Sequence, residues 1–462
     1  MQSVKTAVKK KAYKKRSLEA KDKKYVWHPF TQMKDWEKEK ITIIRSGSGV
    51  WLEDMDGKRY LDGVSSLWCN VHGHRVKEID AAVKKQLNAI SHSTFLGLSN
   101  GPAILLAEAL IRIAPAGLAR VFYSDSGSEA VEIALKMAYQ YWRQTGKPAK
   151  TKFVKLVNAY HGDTLGSVSV GGIDLFHEIY RPLLFETFSA PSPYRYRWPG
   201  GSEADRVRDE ALSGLEKVLA RHHQEIAALV LEPLMQGAAG MIDQPSGYIS
   251  RARELTRKYN VLLIADEVAT GFGRTGSLFA SRQENAAPDL MAVAKGLSGG
   301  YLPLAATLAT EKIYSAFLGE YQEFKTFFHG HTFTANPLAC SAALASLKLF
   351  GKNRVLEKLE LKISLAQRRL ADFYNIPIVG DIRQAGFMIG IELVKDAKTK
   401  EPFPWREKIG LRVTRRAKKK GVILRPLGPV IVLMPPLTIS HEELNFLLDV
   451  TYESIREEAE DQ

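Results

Sequence analysis

The stretch LLIADEVATGFGRTG, residues 262–276, carries an apolar run into two adjacent acids, Asp266 and Glu267, and then into a glycine-rich turn containing Arg274. Carboxylates at the end of a strand hold cations. A magnesium ion beside a triphosphate is one candidate, but it needs a phosphate-cradling loop, and no G-x-x-x-x-G-K-S/T sequence occurs in the chain. A protonated heterocyclic nitrogen is another. A carboxylate beside such a nitrogen keeps it protonated by the opposite-charge effect, and a protonated ring is the better electron sink. Asp266 read without a ligand is a strand-end cap.

Lys295, in PDLMAVAKGLSGGYLPLAAT, is a single lysine among apolar and small residues. Desolvation lowers the pKa of such an amine and makes it nucleophilic toward an aldehyde. Taken alone, it reads as a lysine whose tip reaches solvent. Tyr123-Ser124-Asp125-Ser126-Gly127-Ser128 joins a strand to a helix starting near Glu129. Small residues there let the backbone approach a ligand, and the first-turn N–H groups favour a phosphate; the same residues serve equally as a helix cap. In Asn158-Ala159-Tyr160-His161-Gly162-Asp163-Thr164, Tyr160 follows a strand end, where an aromatic covers a flat heterocycle or simply forms a rim. Glu232 closes the strand ALVLEP. Phosphate cradle, stacking aromatic, ring-nitrogen carboxylate and aldehyde-capturing lysine together are the requirements of pyridoxal 5′-phosphate.

These residues need rigid elements to hold them. From about residue 120 the sequence alternates apolar strands (VFYSD, KFVKLV, AALVLEP, VLLIAD, LAATLAT) with amphipathic helices (SEAVEIALKMAYQYWR, EADRVRDEALSGLEKVLARHHQ, SGYISRARELTRKY). That pattern predicts an α/β fold with a mostly parallel sheet covered on both faces, and ligands collect at the carboxyl ends of such strands. After about residue 340 a long helix leads into FMIGIELV, VILRPLG and VIVLMPP, which predicts a smaller α+β domain. The expected division is a basic arm over 1–24, a segment over 25–75 packing with the small domain, a large cofactor-binding domain over 76–340 and the small domain over 341–462.

The chain has 462 residues, 45% of them apolar, and a net charge of +14. Residues 1–24 carry +8 of that charge, which concentrates it in a solvated arm, partly disordered or helical, rather than a nucleic-acid module. Only Cys69 and Cys340 occur, in no C-x-x-C pair, so neither a disulfide framework nor a zinc site is expected and no metal is called for. Neither a signal peptide nor a membrane-spanning run is legible, and the expected location is the cytoplasm.

The motifs WHPFTQMKD (27–35), DGVSSLWCNVHGH (62–74), DSGSEAVEIALKMAYQYW (125–142), NAYHGDT (158–164), ADEVATGFGRTG (265–276), AKGLSGG (294–300) and HGHTFTANPLAC (329–340) occur in this order. From about Trp27 to the C-terminus the chain thereby resembles the class III (ω) aminotransferases of PLP fold type I. It is most similar to the branch that aminates 8-amino-7-oxononanoate to 7,8-diaminononanoate in biotin synthesis. The resemblance implies a seven-stranded large-domain sheet, pyridoxal 5′-phosphate as cofactor and a homodimer with shared active sites. It implies that Lys295 binds the cofactor aldehyde, Asp266 the ring nitrogen, and Tyr160 its face, with Glu232 nearby. Gly127 and Ser128 would hold the phosphate, helped by His331 and Thr332 of the neighbouring subunit. Arg425 would receive the keto substrate's carboxylate, and Gly330, Phe30, Leu67 and Trp68 would line the substrate site.

Two departures concern the amino donor. Members using S-adenosylmethionine carry tyrosine where this chain has Phe30 and a tryptophan pair where it has Leu67-Trp68. Members found in bacilli that share HPFT use L-lysine, and the expectation leans to lysine. The alternatives are another class III enzyme acting on an ω-amino acid or diamine, an aminomutase, or a basic nucleic-acid binder built on an inactive enzyme fold.

Overall fold

The structure, a computed structural model, describes residues 15–462. Seven strands form the central sheet: β1 (Leu118–Ser124), β2 (Lys152–Leu156), β3 (Thr187–Ala190), β4 (Ile226–Leu231), β5 (Leu262–Asp266), β6 (Leu290–Val293) and β7 (Ala305–Thr310). Their order across the sheet is β1-β7-β6-β5-β4-β2-β3. β3, β2, β4, β5 and β6 run parallel, and β7 is antiparallel to both its neighbours. Every residue of β4, β5 and β6 is buried, which is why these strands read as unbroken apolar runs.

Alternation along the strands splits the core into two layers. Leu262, Ile264, Ala228 and Val230 pack under helix α1 (Gly127–Gln144) through Val131, Ala134 and Trp142. Leu263, Leu229 and Leu231 face the opposite way, onto the helices Ala204–His222 and Tyr248–Lys258. This is the α/β architecture that the alternation of apolar strands and amphipathic helices predicts, a mostly parallel seven-stranded sheet covered on both faces. Two strands escape the sequence reading. β3 is a short, partly exposed edge strand with weak alternation, and β6 is only four residues long ahead of Lys295.

The two ends of the chain meet in space. Ile44–Ser48, Trp51–Asp54 and Arg59–Asp62 form an antiparallel meander, and Val422–Ile423 adds to Arg59–Asp62 in parallel. Val379–Ala385, Met388–Asp396, Val430–Leu433 and Arg425–Leu427 form a second antiparallel sheet, with Glu401–Pro402 pairing at Met388–Asp396. The helix Lys15–Tyr25 has no buried residue, and the first fourteen residues of the basic arm lie outside the described residues. Among the described residues, no helix is long and apolar enough to cross a membrane.

Candidate active site

A cavity of about 470 Å³ opens at the carboxyl ends of the parallel strands. Trp68, Gly127, Ser128, Tyr160, Glu232, Asp266 and Lys295 line it together. Asp266 is the last residue of β5, Glu232 follows β4 directly, Lys295 opens the turn after β6, and Tyr160 lies in the loop after β2.

The adjacent acids of the opening motif diverge. Glu267 is buried away from the cavity and accepts hydrogen bonds from Thr270 Oγ1 (2.8 Å), Ala280 N–H (3.0 Å), Ser281 N–H (2.7 Å) and Ser281 Oγ (2.7 Å). It therefore staples the glycine-rich turn shut. Asp266, 4% exposed, lines the cavity; its Oδ1 accepts from Val268 N–H at 3.0 Å and its Oδ2 meets His161 Nδ1 at 2.7 Å. An ionised carboxylate only accepts, so His161 carries its proton on Nδ1 there. Its Nε2 is buried with no partner among the described residues.

Glu232 accepts from Tyr160 N–H (3.1 Å) and Gly237 N–H (2.8 Å). Burial pushes its carboxyl up to about 7, with the N–H groups of Gly237 and Tyr160 pulling the other way. Burial also lowers the Lys295 amine below the usual lysine range, with Asp266 and Glu232 pulling the other way. Nζ of Lys295 lies over the Trp68 ring, 5.4 Å from its centroid. Lys295 itself has φ 41°, a left-handed conformation uncommon for a side-chain-bearing residue and found where function fixes the backbone. Tyr160 donates its hydroxyl to Asp163 at 2.8 Å, which fixes the ring at the rim.

At the head of α1, Ser126 and Glu129 form a reciprocal cap, with Glu129 accepting from the N–H groups of Asp125 and Ser126. That cap leaves Gly127 and Ser128 at the first turn, bordering the cavity. The close approach there requires glycine: a Cβ on Gly127 would sit 2.6 Å from Val268 Cγ1, and one on Gly162 2.1 Å from Ser128 Oγ.

Trp68 arrives on an unusual turn. Ser65, Ser66, Leu67 and Trp68 have φ of 49°, 49°, 74° and 71°, a full left-handed turn closed by Trp68 N–H to Val64 O (2.8 Å) and Cys69 N–H to Ser65 O (3.1 Å). At roughly 1–2 kcal/mol per residue, four such residues cost on the order of 4–8 kcal/mol. Ser65 Oγ donates to Met434 O at 2.7 Å, and Arg274 Nη2 donates to Trp68 O (3.3 Å) and Asn70 O (3.2 Å). Arg274 is 1% exposed, and its Nη1 donates to Pro435 O at 2.6 Å. Burial lowers its pKa to about 10.

Arg425 opens the strand Arg425–Leu427, is half-buried, and makes no side-chain hydrogen bond or ion pair among the described residues. Burial lowers its pKa from the usual guanidinium range. Phe30 is exposed and packs edge-on against Phe176 at 5.7 Å, and Phe176 in turn packs against Tyr160 at 6.4 Å. Leu67 is exposed beside Trp68. Gly330, His331 and Thr332 do not line the cavity within this chain; His331 Nδ1 lies 3.7 Å from Glu129 at the head of α1. Sequence reasoning left three groups without a role: His161, Arg274 and the pair Asp62–His74. The neighbour of Tyr160 in NAYHGDT was the available signal for the first; nothing local marks the others.

The residues present fit pyridoxal phosphate. The cavity offers a helix head where side chains are excluded, a buried carboxylate, and a lysine with a lowered pKa. It also borders two buried nitrogens, His161 Nε2 and Trp68 Nε1, that lack partners among the described residues.

Comparison with known proteins places this geometry. Residues 32–454 match the family model "Aminotransferase class-III". The adenosylmethionine-8-amino-7-oxononanoate aminotransferase of Geobacter sulfurreducens is 54% identical over 96% of this chain and 98% of its own. The crystal structure of the enzyme of that name from Methanocaldococcus jannaschii aligns with a TM-score of 0.92 at 48% identity, covering 96% of this chain and 99% of that one. The ω-transaminase of Pseudomonas jessenii in complex with PMP also aligns with a TM-score of 0.92, at 32% identity, over 96% and 98% of the two chains. The chain belongs to the class-III aminotransferase family, with pyridoxal 5′-phosphate as its cofactor.

Proposed function

We propose that this enzyme transfers an amino group to 8-amino-7-oxononanoate, giving 7,8-diaminononanoate for biotin synthesis. The observation that carries the reading is the agreement with the Geobacter relative of that name at 54% identity along nearly the whole of both chains. The half-buried Arg425, whose guanidinium has no side-chain partner among the described residues, supports it, because a long keto acid needs a bidentate partner for its distal carboxylate.

The cofactor, when bound, supplies the electron sink for carbon–hydrogen cleavage next to the amine. The residues do the rest. Gly127 and Ser128 would hold the phosphate with first-turn amides at the positive end of α1. Asp266 would keep a proton on the ring nitrogen of the cofactor, and His161 holds the carboxylate in place for that task. Tyr160, its hydroxyl tethered to Asp163, would cover one face of the ring. Lys295, whose amine burial shifts toward the neutral form, is the residue that would hold the cofactor's aldehyde end, and its free amine would serve as the base that takes a proton from the donor carbon and returns it to the cofactor. Glu232, Trp68 and Leu67 complete the walls.

A homodimer is part of this reading. Leu96, Leu98, Ile104, Leu105, Phe328 and Phe333 are exposed. The two segments that bear them are joined by Asn100 Nδ2 to Ala335 O (3.0 Å) and by the ring contact of His92 with Phe333. Apolar surface of that extent around Gly330, His331 and Thr332 suits a second copy, which would receive those residues at its own phosphate site. Two free cysteines suit a reducing cytoplasm.

For the donor, L-lysine is favoured by Phe30 and Leu67, which leave that end of the pocket without a hydroxyl and without one aromatic face for a sulfonium. S-adenosylmethionine is favoured by the relatives' names. Mass spectrometry of products from 8-amino-7-oxononanoate with each donor tests both parts. The expected outcome is 7,8-diaminononanoate, formed faster with lysine; no diamine with either donor refutes the assignment, and faster formation with S-adenosylmethionine refutes the donor.

A further inference from the structure

We infer that Asp62, through its bonds to Ser66 and His74, is a positioning residue that holds Trp68 over the tip of Lys295. The inference rests on the cavity being the cofactor and substrate site. Asp62 ends the strand Arg59–Asp62 with no exposed surface. Its Oδ1 accepts from Ser66 N–H at 2.9 Å and its Oδ2 from Ser66 Oγ at 2.7 Å. His74 Nε2 meets Oδ2 at 3.0 Å, and Asn70 Nδ2 meets His74 Nδ1 at 3.0 Å. A carboxylate only accepts and an amide nitrogen only donates, so His74 with one proton, on Nε2, satisfies both of its own bonds, while Asn70 Oδ1 is left without a partner among the described residues.

The left-handed turn has little else to hold its middle. Ser66 and Leu67 are exposed, so no packing presses on the turn from outside. Ser65 and the carbonyl of Trp68 are tied at the ends, by Met434 O and Arg274. Asp62 takes both the N–H and the hydroxyl of Ser66, and the one other bond to Ser66 among the described residues is the weak one from Cys69 Sγ to its carbonyl (3.4 Å), made within the turn itself. The hand decides where Trp68 goes. In its present state the indole packs among Met235, Met241 and Met388 and presents its face to Lys295 Nζ at 5.4 Å. A right-handed relaxation at Ser66 and Leu67 swings the following side chain out of that wall.

The test reads Trp68 directly. A pyridoxyl group fixed on Lys295 by borohydride accepts energy from a nearby indole, and Trp68→Phe defines the share of quenching that belongs to Trp68. Asp62→Ala is expected to bind cofactor at near wild-type stoichiometry and to lose most of that share. It is also expected to raise KM for the keto acid about tenfold with kcat within about threefold, the pattern of lost uniform binding. Adding Ser66→Gly to Asp62→Ala should restore both readouts, because glycine adopts positive φ without penalty. Unchanged quenching and KM in Asp62→Ala, or no recovery with glycine, overturns the inference. Should Asp62→Ala not accumulate, Asp62→Asn leaves one oxygen for Ser66, offers an amide to His74, and is read by the same measurements against the same outcomes. Failure of the wild-type enzyme to aminate 8-amino-7-oxononanoate would refute the proposed substrate while leaving the quenching readout intact.

Discussion

Replacing Asp266 by asparagine keeps the size of the side chain and removes its charge, and the surrounding bonds dictate two separate consequences. The first is chemical. An adjacent opposite charge moves the pKa of an ionisable nitrogen by about 1–3 units, so its loss lowers the protonated fraction of the ring nitrogen, and the rate with it, by roughly 10- to 1000-fold. The second is structural. Val268 N–H requires an acceptor, which fixes the amide oxygen where Oδ1 now sits and turns the amide nitrogen toward His161 Nδ1. His161 must then accept at Nδ1 and move its proton to Nε2, which is buried without a partner among the described residues. A buried unsatisfied donor costs about 1–3 kcal/mol. Asp266→Asn is therefore expected to bind cofactor, slow both half-reactions, lose that much stability in denaturant titration, and switch the His161 tautomer in ¹⁵N spectra. A variant with bound cofactor, a rate within about twofold of wild type and the proton still on Nδ1 would falsify the role of Asp266 and the reasoning about His161 together.

Lys295→Ala should abolish turnover while leaving the melting profile of the cofactor-free protein close to wild type, and borohydride reduction of the native enzyme should place the label on Lys295; a label on another lysine refutes the assignment. Arg425→Ala should impair the half-reaction with the keto acid by about 10- to 150-fold, the equivalent of a charge-assisted bond of roughly 1.5–3 kcal/mol, and the donor half-reaction less; equal damage in stopped-flow traces marks a structural arginine. Glu232 has a folded pKa raised to about 7 from 4.5, so its contribution to stability is complete below pH 4.5 and is lost as pH rises through 7. Relative to Glu232→Gln, the cofactor-free wild type should lose stability on the order of 3 kcal/mol across that window; a flat difference in denaturant titrations from pH 4.5 to 8 refutes the raised pKa.

What the sequence made legible and what it hid divide along a physical line. β4 and β5 are buried on both faces, so their apolar runs are visible without any tertiary knowledge, and the acids that end them fall at the ligand-binding edge by topology alone. Lys295 stood out because a lysine among small apolar residues conflicts with its own solvation. β3 was hidden because an edge strand of four residues, half exposed, carries almost no pattern. His161 was hidden by a different cause: its place beside Tyr160 in NAYHGDT marks it as near the site, but its partner is a carboxylate 105 residues away, which the motif does not identify. Arg274 sits in full view in a glycine-rich motif, yet its partners are main-chain carbonyls from both ends of the chain, and carbonyls have no sequence identity. The left-handed turn at Ser65–Trp68 was unreadable for a related reason. None of its residues is glycine, the usual marker of positive φ, and the conformation is imposed by Asp62, Met434 and Arg274.

The pairing of Arg59–Asp62 with Val422–Ile423 also has a consequence for the order in which the protein comes off the ribosome. The strand that leads into the Trp68 turn emerges early together with Trp51–Asp54 on one side, but its neighbour on the other side follows about 360 residues later. At about 5–20 residues per second, that is a wait of roughly 20–70 s. During it, the central sheet can close behind α1 while the tryptophan side of the cavity has no floor. The carbonyls of Met434 and Pro435, which Ser65 and Arg274 need, arrive last of all. A nascent chain halted before residue 420 should therefore present a protease-resistant sheet with residues 44–75 open to cleavage, and the catalytic pocket should close only when the C-terminal strands are released.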